Sequence, residues 1–329
     1  MKLVLTPLIT GLLIAGLSQT LSAAPTVYIP LGSANSVIAV DASNDTITQT
    51  YTGVENPHGL VVTPDGEYLI AGSLKETPLQ TGAALDQANS QLFLVHPAHG
   101  HVMSTVPVAG WTHHQAITPD GRFVLSTHPT RGGISVVDVA SNQVLRTVPT
   151  GPSPNYTLIS AGARFAYVSN SGNGTISEIA LEDWTVKRVL DAGPAPEHMV
   201  FSKDGSRIYV TNPRVGKVSE VSIASGKVTR SFAIGKSVHG LDIGDDGKTL
   251  FVSAKQENKL VAVDTESGEN RSLALSPAPY HLNTIPGTGK VYVSSRKQPT
   301  IWVVDQKSLQ VVNEIALPGG EGHQMAIVN

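Results

Sequence analysis

The sequence predicts an all-β fold: a seven-bladed β-propeller whose ring is closed by strands from the two ends of the chain. Two patterns predict it, a short phrase that recurs at nearly even spacing and two terminal segments that complete each other. The composition agrees, because 31 Gly and 21 Pro among 329 residues, with only 15% charged residues, are typical of short strands joined by tight turns.

The recurring phrase is a turn, a polar or ring-bearing residue, then four or five mostly apolar residues, usually closed by an Asp-Gly turn. Its seven copies begin at Pro57, Thr112, Pro154, Pro196, Val238, Pro279 and Gly322. From His113 the copies follow at steps of 42 residues, whereas the first step, from His58, is 13 residues longer. The extra residues fall in 73–90, a Gln/Ala/Thr-rich insert without strand alternation, which we expect to project over the same mouth of the channel as His58.

Each unit holds four β-rich runs separated by turn dipeptides. The runs of the fourth unit are His198–Phe201, Arg207–Asn212, Lys217–Ile223 and Lys227–Ile234. A four-stranded repeat of about forty residues is typical of a propeller blade. No window has the helical periodicity that a crossover helix between parallel strands would need.

The two ends of the propeller each hold part of one blade. Residues 27–51 contain a second, third and fourth strand without a first, and His323 to Val328 is a first strand with nothing after it. Joined, they complete a seventh blade and leave no open sheet edge. We therefore predict one propeller domain over 25–329.

The N-terminus predicts export. Lys2, the apolar stretch Leu3 to Leu17 and the small residues up to Ala24 form a secretory signal peptide over 1–24, too short for a bilayer span. We expect a periplasmic or secreted protein with no membrane insertion. The net charge of -3 and the lack of any Lys/Arg run give no reason to expect a nucleic-acid partner.

The chain contains no cysteine. This excludes disulfides, thiolate metal ligands and a covalently attached c-type haem.

A family resemblance rests on short motifs within the repeats. Ile208–Asn212, with its variants Ala166–Asn170 and Val291–Ser295, resembles the YVTN repeat of bacterial seven-bladed propellers, and Pro57-His58-Gly59 followed by Thr63–Gly66 is similar to the start of that repeat. The resemblance covers essentially all of the chain after 24. It implies the fold and leaves the function open, because this family includes binding proteins, lyases and cofactor domains.

The start of each first strand should lie at one mouth of the central channel, where histidine recurs. The predicted metal ligands are His58, His113, His114, His198, His239, His281 and His323. Neutral imidazole without cysteine suits a copper or zinc ion, and Met325 would add a soft ligand that favours copper. The other residues expected near this mouth are Tyr156, Glu197, His128, Lys255 and Arg296.

This histidine set resembles the propeller of nitrous oxide reductase, where channel-mouth histidines hold copper, and periplasmic propellers that hand zinc to an importer. The resemblance implies metal handling, with another periplasmic protein as a partner at the mouth. The cysteine-bearing copper domain of the reductase is absent, so its electron-transfer chemistry is not implied.

Several alternatives stay open at this stage. Histidine at a repeat start can be a plain turn residue, and adjacent strand residues face opposite ways, so the two histidine slots can share the channel only through a bulge or an extra turn residue. The histidines could serve acid–base catalysis in a lyase or lactonase, or one could ligate a non-covalent haem. A plain interaction scaffold is a further alternative. His96, His99 and His101 also have chelating spacing, but on the opposite rim.

Overall fold

The computed structural model of the chain describes residues 25–84 and 86–328. The predicted signal peptide lies outside the described residues. Seven antiparallel sheets of four strands each form the blades of a propeller, which confirms the predicted fold. No helix within the described residues is long and apolar enough to cross a membrane.

The strands follow the predicted repeats, and the blades are numbered here from the one that contains His58. Blade seven takes β1 (Thr26–Leu31), β2 (Ser36–Asp41) and β3 (Thr46–Thr52) from the start of the chain. Blade one contains β4 (Pro57–Val62), β5 (Leu69–Ser73), β6 (Ser90–His96) and β7 (His101–Val108). Blade two contains β8 (Gln115–Ile117), β9 (Phe123–His128), β10 (Gly133–Asp138) and β11 (Gln143–Pro149). Blade three contains β12 (Pro154–Ile159), β13 (Phe165–Asn170), β14 (Thr175–Ala180) and β15 (Thr185–Asp191).

The second half of the chain continues the same order. Blade four contains β16 (Met199–Phe201), β17 (Arg207–Asn212), β18 (Lys217–Ser222) and β19 (Lys227–Ala233). Blade five contains β20 (Val238–Ile243), β21 (Thr249–Ala254), a 3-10 turn (Lys255–Glu257), β22 (Lys259–Asp264) and β23 (Asn270–Ala274). Blade six contains β24 (Pro279–Ile285), β25 (Lys290–Ser295), β26 (Thr300–Asp305) and β27 (Gln310–Ala316). The last strand, β28 (Ala326–Val328), completes blade seven.

The ring closes where β28 pairs antiparallel with β1, Ala326 opposite Tyr28. The strand starts later than the sequence predicts, at Ala326 instead of His323, and Gly322 meets Leu31 in an isolated bridge. Because the segment between bridge and strand leaves the ladder, His323 belongs to the channel mouth and not to a regular strand.

The core is divided into seven apolar clusters, one at each interface between neighbouring blades. At the interface of blades six and seven, Met325 packs with Ile29 and Tyr292. Met325 is therefore a buried core residue, and the expectation that it would be a soft metal ligand is wrong. Burying a side chain of this size stabilises the fold by about 1.5–3 kcal/mol, so each interface contributes to ring closure.

The Asp-Gly turns have the structural role that their position predicts. The Asp65 carboxylate accepts hydrogen bonds from the Thr63 hydroxyl at 2.5 Å and the Glu67 amide at 3.0 Å. The Asp120 carboxylate accepts the equivalent bonds from Thr118 and Arg122 in blade two. These bonds hold the pKa of Asp65 and Asp120 below the usual value, so both remain ionised turn residues.

Candidate metal centre

A β-bulge opens the first strand of four blades. In blade one, Pro57 pairs with Ser73 and Leu60 pairs with Ala71, so His58 and Gly59 both lie opposite one residue. The strands β12, β20 and β24 shift register at the same place. A bulge re-aims the side chains of the two extra residues and releases them from strict alternation.

Blades two and four make the same two-against-one arrangement just before their first strands begin. The His113 amide donates to the Thr127 carbonyl at 3.0 Å, and the Thr127 amide donates to the His114 carbonyl at 3.1 Å. Glu197 and His198 exchange the equivalent bonds with Thr211 at 2.9 Å. The bulge that the two histidine slots require is therefore present.

Serine and threonine hydroxyls on the second strands of blades two, three and five connect the bulge to the next blade. The Thr127 hydroxyl accepts a bond from the His114 amide at 3.0 Å and donates to the Asn155 carbonyl at 2.9 Å. Ser253 does the same between the Gly240 amide, at 2.8 Å, and the Tyr280 carbonyl, at 2.6 Å. Sequence reasoning missed these hydroxyls, although Ser or Thr recurs every 42 residues at positions 127, 169, 211 and 253.

All seven predicted ligands meet in one cluster at the channel mouth. Every one of them has its ring within 4.8 Å of another histidine ring in the set, centre to centre. Six are buried, and only His113 is partly exposed. The repeats therefore bring together side chains that are up to 265 residues apart in the chain, from His58 to His323.

Three sets of histidines have ligand nitrogens that all lie within 4.8 Å of one another. One set takes its members from the alternate blades two, four and six, and consists of His114, His198 and His281. The other sets are His58, His113 and His114, and His58, His281 and His323. Any two sets share one member, so His58, His114 and His281 are the residues on which the cluster depends most.

Backbone carbonyls fix the tautomer of two of these histidines. Nδ1 of His58 lies 3.0 Å from the His113 carbonyl oxygen, and Nδ1 of His114 lies 3.0 Å from that of Asn155. Because a carbonyl only accepts, each Nδ1 must carry the proton, and each Nε2 presents a lone pair to the cluster. Metal-binding histidines are usually oriented in this way.

Several ring nitrogens in the cluster have no hydrogen-bond partner among the described residues. The Nε2 atoms of His114 and His198 are buried without a hydrogen bond, and so is Nδ1 of His323. Buried polar atoms are rarely left without a partner, so these nitrogens are suited to binding a ligand. Nε2 of His239 and Nε2 of His281 lie 3.4 Å apart, close to the separation of about 3.3 Å between two nitrogens on one tetrahedral zinc ion.

Two carboxylates lie against the histidines. Glu197 Oε2 is 3.4 Å from His239 Nδ1, and Glu321 Oε1 is 3.4 Å from His323 Nε2. The hydrogen bond with His323 lowers the pKa of the Glu321 carboxyl to about 2. Glu197 was expected at the mouth, whereas Glu321, two residues before a repeat histidine, was missed.

Burial lowers the pKa of every histidine in the cluster, because a charged imidazole is poorly solvated there. The pKa of His113 falls to about 4. Mutual repulsion between neighbouring imidazoles adds to the effect at His58, His114, His198 and His281. All seven are therefore neutral at pH 7, as metal ligands must be.

Two tyrosines complete the cluster. The Tyr156 ring lies 4.8 Å from His114, and the Tyr280 ring stacks on His239 at 4.3 Å. Burial raises the pKa of Tyr280 to about 12, so its phenol remains protonated. Tyr156 was expected at the mouth. Tyr280 was not singled out, although it occupies the same repeat slot as His239.

His128 lies at the end of β9, next to Trp111, but it makes no contact with the rings of the histidine cluster. Its Nδ1 lies 3.1 Å from the Gly110 carbonyl oxygen, and its Nε2 lies 2.9 Å from the Ser135 hydroxyl. Both ring nitrogens have partners in the protein, in the β7–β8 connection and in β10, so His128 is a structural residue.

The insert between β5 and β6 is tied to the mouth through Glu76. The Glu76 carboxylate bonds to Arg131 of blade two, accepts from Asn89 at 2.9 Å, and lies 3.4 Å from the Trp111 amide. The Trp111 ring contacts His113 at 5.4 Å between centroids. The base of the insert therefore supports the edge of the cluster, at the mouth where the sequence predicts the insert to project.

The histidines of the opposite rim form a separate group in the hairpin between β6 and β7. His96 pairs with His101 across the hairpin, and the rings of His96 and His99 stack at 4.1 Å. His99 and His101 are exposed. Within the described residues, the sets of three ligands that could hold one ion all lie at the channel mouth, and this rim supplies none.

Comparison with known proteins agrees with the fold. A family model described as a YNCE-like beta-propeller matches residues 159–249. No curated protein matches the chain.

Several solved structures share the fold at low sequence identity. A putative 6-phosphogluconolactonase from Bacteroides uniformis is 16% identical, with a TM-score of 0.76 over 93% of this chain and 100% of its own. The periplasmic gluconolactonase PpgL of Pseudomonas aeruginosa is 18% identical, with a TM-score of 0.73 over 93% and 99%. Hydrazine synthase of Kuenenia stuttgartiensis is 21% identical, with a TM-score of 0.67 over 79% and 82%. Likeness at these identities shows the fold alone, and the resemblance to nitrous oxide reductase remains a resemblance.

Proposed function

We propose that this protein binds a transition-metal ion, copper or zinc, through the histidine cluster at the channel mouth, for metal handling or delivery. The main support is the convergence of seven neutral histidines from six blades, arranged so that three sets have ligand nitrogens within 4.8 Å of one another. The backbone carbonyls that orient His58 and His114 also support metal binding, because they leave the Nε2 lone pair of each ring free for a metal ion.

The donor set favours metals that prefer nitrogen. The cluster offers imidazole, carboxylate and phenol groups, and the nearby sulfur atom of Met325 is in the apolar core. Imidazole suits both zinc and copper, and the loss of the soft sulfur ligand removes the argument that favoured copper over zinc.

Delivery requires export and an accessible site. The signal peptide expected over 1–24 supports export, and the partly exposed His113 gives an ion a route into an otherwise buried cluster. A second periplasmic protein would receive the ion at this mouth. Intact-mass measurement of the exported protein should give Ala24 or Pro25 as its first residue, and retention of Met1 would contradict export by this route.

The central experiment is metal binding by the purified, metal-free protein. Equilibrium dialysis against Zn²⁺ or Cu²⁺ at pH 7.5, followed by elemental analysis, should give tight, stoichiometric uptake. The double variant His114→Asn/His281→Asn should abolish uptake, because each of the three ligand sets contains at least one of these residues. Asparagine retains a donor near the Nδ1 position and removes Nε2, so the fold should tolerate the change.

The matched control is His99→Asn/His101→Asn on the opposite rim, which should bind metal like the wild type. Melting curves of all metal-free variants report whether the propeller is intact. If the intact mouth variant binds metal as the wild type does, the histidines are only repeat residues, and the enzyme or scaffold hypotheses take precedence.

An acid–base enzyme is the second candidate, supported by the contact between His239 and Glu197 and by the fold shared with gluconolactonases. The pKa of His239 lies well below its usual value, because of burial and of the nearby Lys255. An efficient general base has a pKa near the working pH, so this shift favours metal binding over catalysis by His239. Hydrolysis of lactones by metal-free protein, lost in His239→Asn, would reverse that preference.

A further inference from the structure

We propose that the channel mouth also binds a small oxyanion of the carboxylate or phosphate type, held by Lys255 beside Tyr280 and His239. This inference deepens the metal-binding function, because the anion would be the counter-ion or cargo partner of the bound metal. Two observations support it: the position of Lys255 beside Tyr280, and the charge that a metal ion would add to the mouth.

Two cationic side chains lie against the ring of Tyr280. Lys255 Nζ is 5.1 Å from the ring centre, and the Arg296 guanidinium carbon is 5.3 Å from it. The same ring stacks on His239 at 4.3 Å and meets His281 edge-on at 4.3 Å. The two cations therefore stand directly beside candidate metal ligands, so the balance of charge at the mouth matters for a metal site.

Two nearby carboxylates, Glu197 and Glu321, balance the charge of the two cations, but neither forms an ion pair with Lys255. Arg296 pairs with Glu321 at 2.7 Å, which uses one of the two carboxylates. Glu197 contacts His239, and Lys255 forms no ion pair among the described residues. Lys255 is only partly exposed, and desolvation lowers its pKa.

A bound metal ion would give the mouth an excess of positive charge. The proposed ligands are neutral imidazoles, and Lys255 and Arg296 already balance the carboxylates of Glu197 and Glu321, so a divalent ion would keep its charge uncompensated in a largely buried place. Burying net charge without a partner is costly. An oxyanion could coordinate the ion and accept hydrogen bonds from Lys255 and from the protonated phenol of Tyr280, which would offset that cost.

A groove between blades four and five gives such an anion room to approach. Its volume is about 980 Å³, and Glu197 lies in its wall together with Arg214 and Lys236. Lys217 and Lys259 also line the groove, so four cations face the two carboxylates Glu197 and Glu257, and this net positive charge would attract anions towards the cluster.

Isothermal titration calorimetry with oxalate and with inorganic phosphate, on the metal-free and the zinc-loaded protein, tests this inference. We expect binding to both forms, tighter with zinc. Lys255→Met keeps the apolar stem of the side chain and removes its charge, and should weaken binding by roughly tenfold or more, as expected for one charge-assisted hydrogen bond. Lys255→Arg should restore it, and Lys297→Met, an equal charge change on the exposed turn next to Arg296, should leave it unchanged.

The outcomes separate this inference from the proposed metal function. If zinc binds but neither anion does, or if Lys255→Met and Lys297→Met weaken binding equally, the anion site is wrong and the metal function stands. If zinc does not bind but the metal-free protein binds oxalate or phosphate in a Lys255-dependent way, the anion site stands and the metal function fails. A preference between oxalate and phosphate identifies the class of oxyanion.

Discussion

The protein has two groups of closely spaced histidines, and they differ in every property that matters for metal binding. The rim group, His96, His99 and His101, comes from one hairpin, and two of its three members are exposed. The mouth group comes from six blades, is almost fully buried, and has its tautomers fixed at His58 and His114. Chelating spacing in sequence is therefore a weaker indication of a site than convergence in the fold.

Removal of the last strand should have the largest effect, because it should disrupt the ring and with it the mouth group. Truncation before Gly322 deletes β28 and His323, removes Met325 from the core, and exposes the edge of β1. We expect loss of cooperative unfolding, measured by circular dichroism and calorimetry. An unchanged melting curve would mean that the ring does not need this closure. The mouth cluster depends on the whole ring, whereas the rim group depends on one hairpin.

Acidification should destabilise the metal-free protein through the mouth group. The pKa values of these histidines are lowered in the folded state, so below pH 6.5 the unfolded chain binds more protons than the folded one. Stability is therefore retained above pH 6.5 and falls as the pH drops, by up to about 1.4 kcal/mol per pH unit for each histidine. His113 contributes down to a pH of about 4, where its folded form protonates.

Urea unfolding of metal-free protein between pH 7 and pH 5 measures this effect. The interval lies above the range in which the Asp-Gly turn carboxylates protonate, since their pKa values are lowered from 3.8. His114→Asn/His281→Asn should reduce the slope, and His99→Asn/His101→Asn should not. Equal slopes in both variants would place the acid sensitivity elsewhere.

The pH dependence of metal binding should shift with the same pKa values. An ordinary histidine pKa of about 6.5 predicts release of much of the metal near pH 5. Because the pKa values in the folded protein are lower, protons compete less effectively, and much of the metal should still be bound at pH 5. Metal content after dialysis from pH 7.5 to pH 4.5 gives the midpoint, and release of most of the metal at pH 5 or above would contradict burial as its determinant.

Removing the charge of Glu197 should have the smallest effect. Glu197→Gln weakens the contact that orients His239, and loss of such a partner typically reduces metal affinity by about tenfold. Glu257→Gln is the control, since Glu257 is exposed and pairs with Lys259 at 2.7 Å. Competition with a chromophoric zinc chelator measures both, and equal affinities would show that Glu197 does not position His239.

Much of the fold could be predicted because the repeat is periodic. The 42-residue steps, the Asp-Gly turns and the incomplete ends together predicted seven blades and the closure by β28. The start of β28 could not be predicted. The sequence from His323 to Val328 has an apolar strand pattern, and only the bridge at Gly322 and the position of Pro30 show where the chain leaves the ladder.

Of the candidate site, the sequence by itself determined which residues stand at the seven repeat starts, because slot positions follow from counting. It could not decide which side chains point into the channel. A bulge changes the side of the sheet on which adjacent residues lie, and a bulge is defined only by the register between two strands. Only the tertiary structure shows that Met325 packs in the core and that the Tyr280 ring stacks on His239. The tautomers of His58 and His114 were decided by carbonyls of the neighbouring blade, which packing alone brings within hydrogen-bond distance.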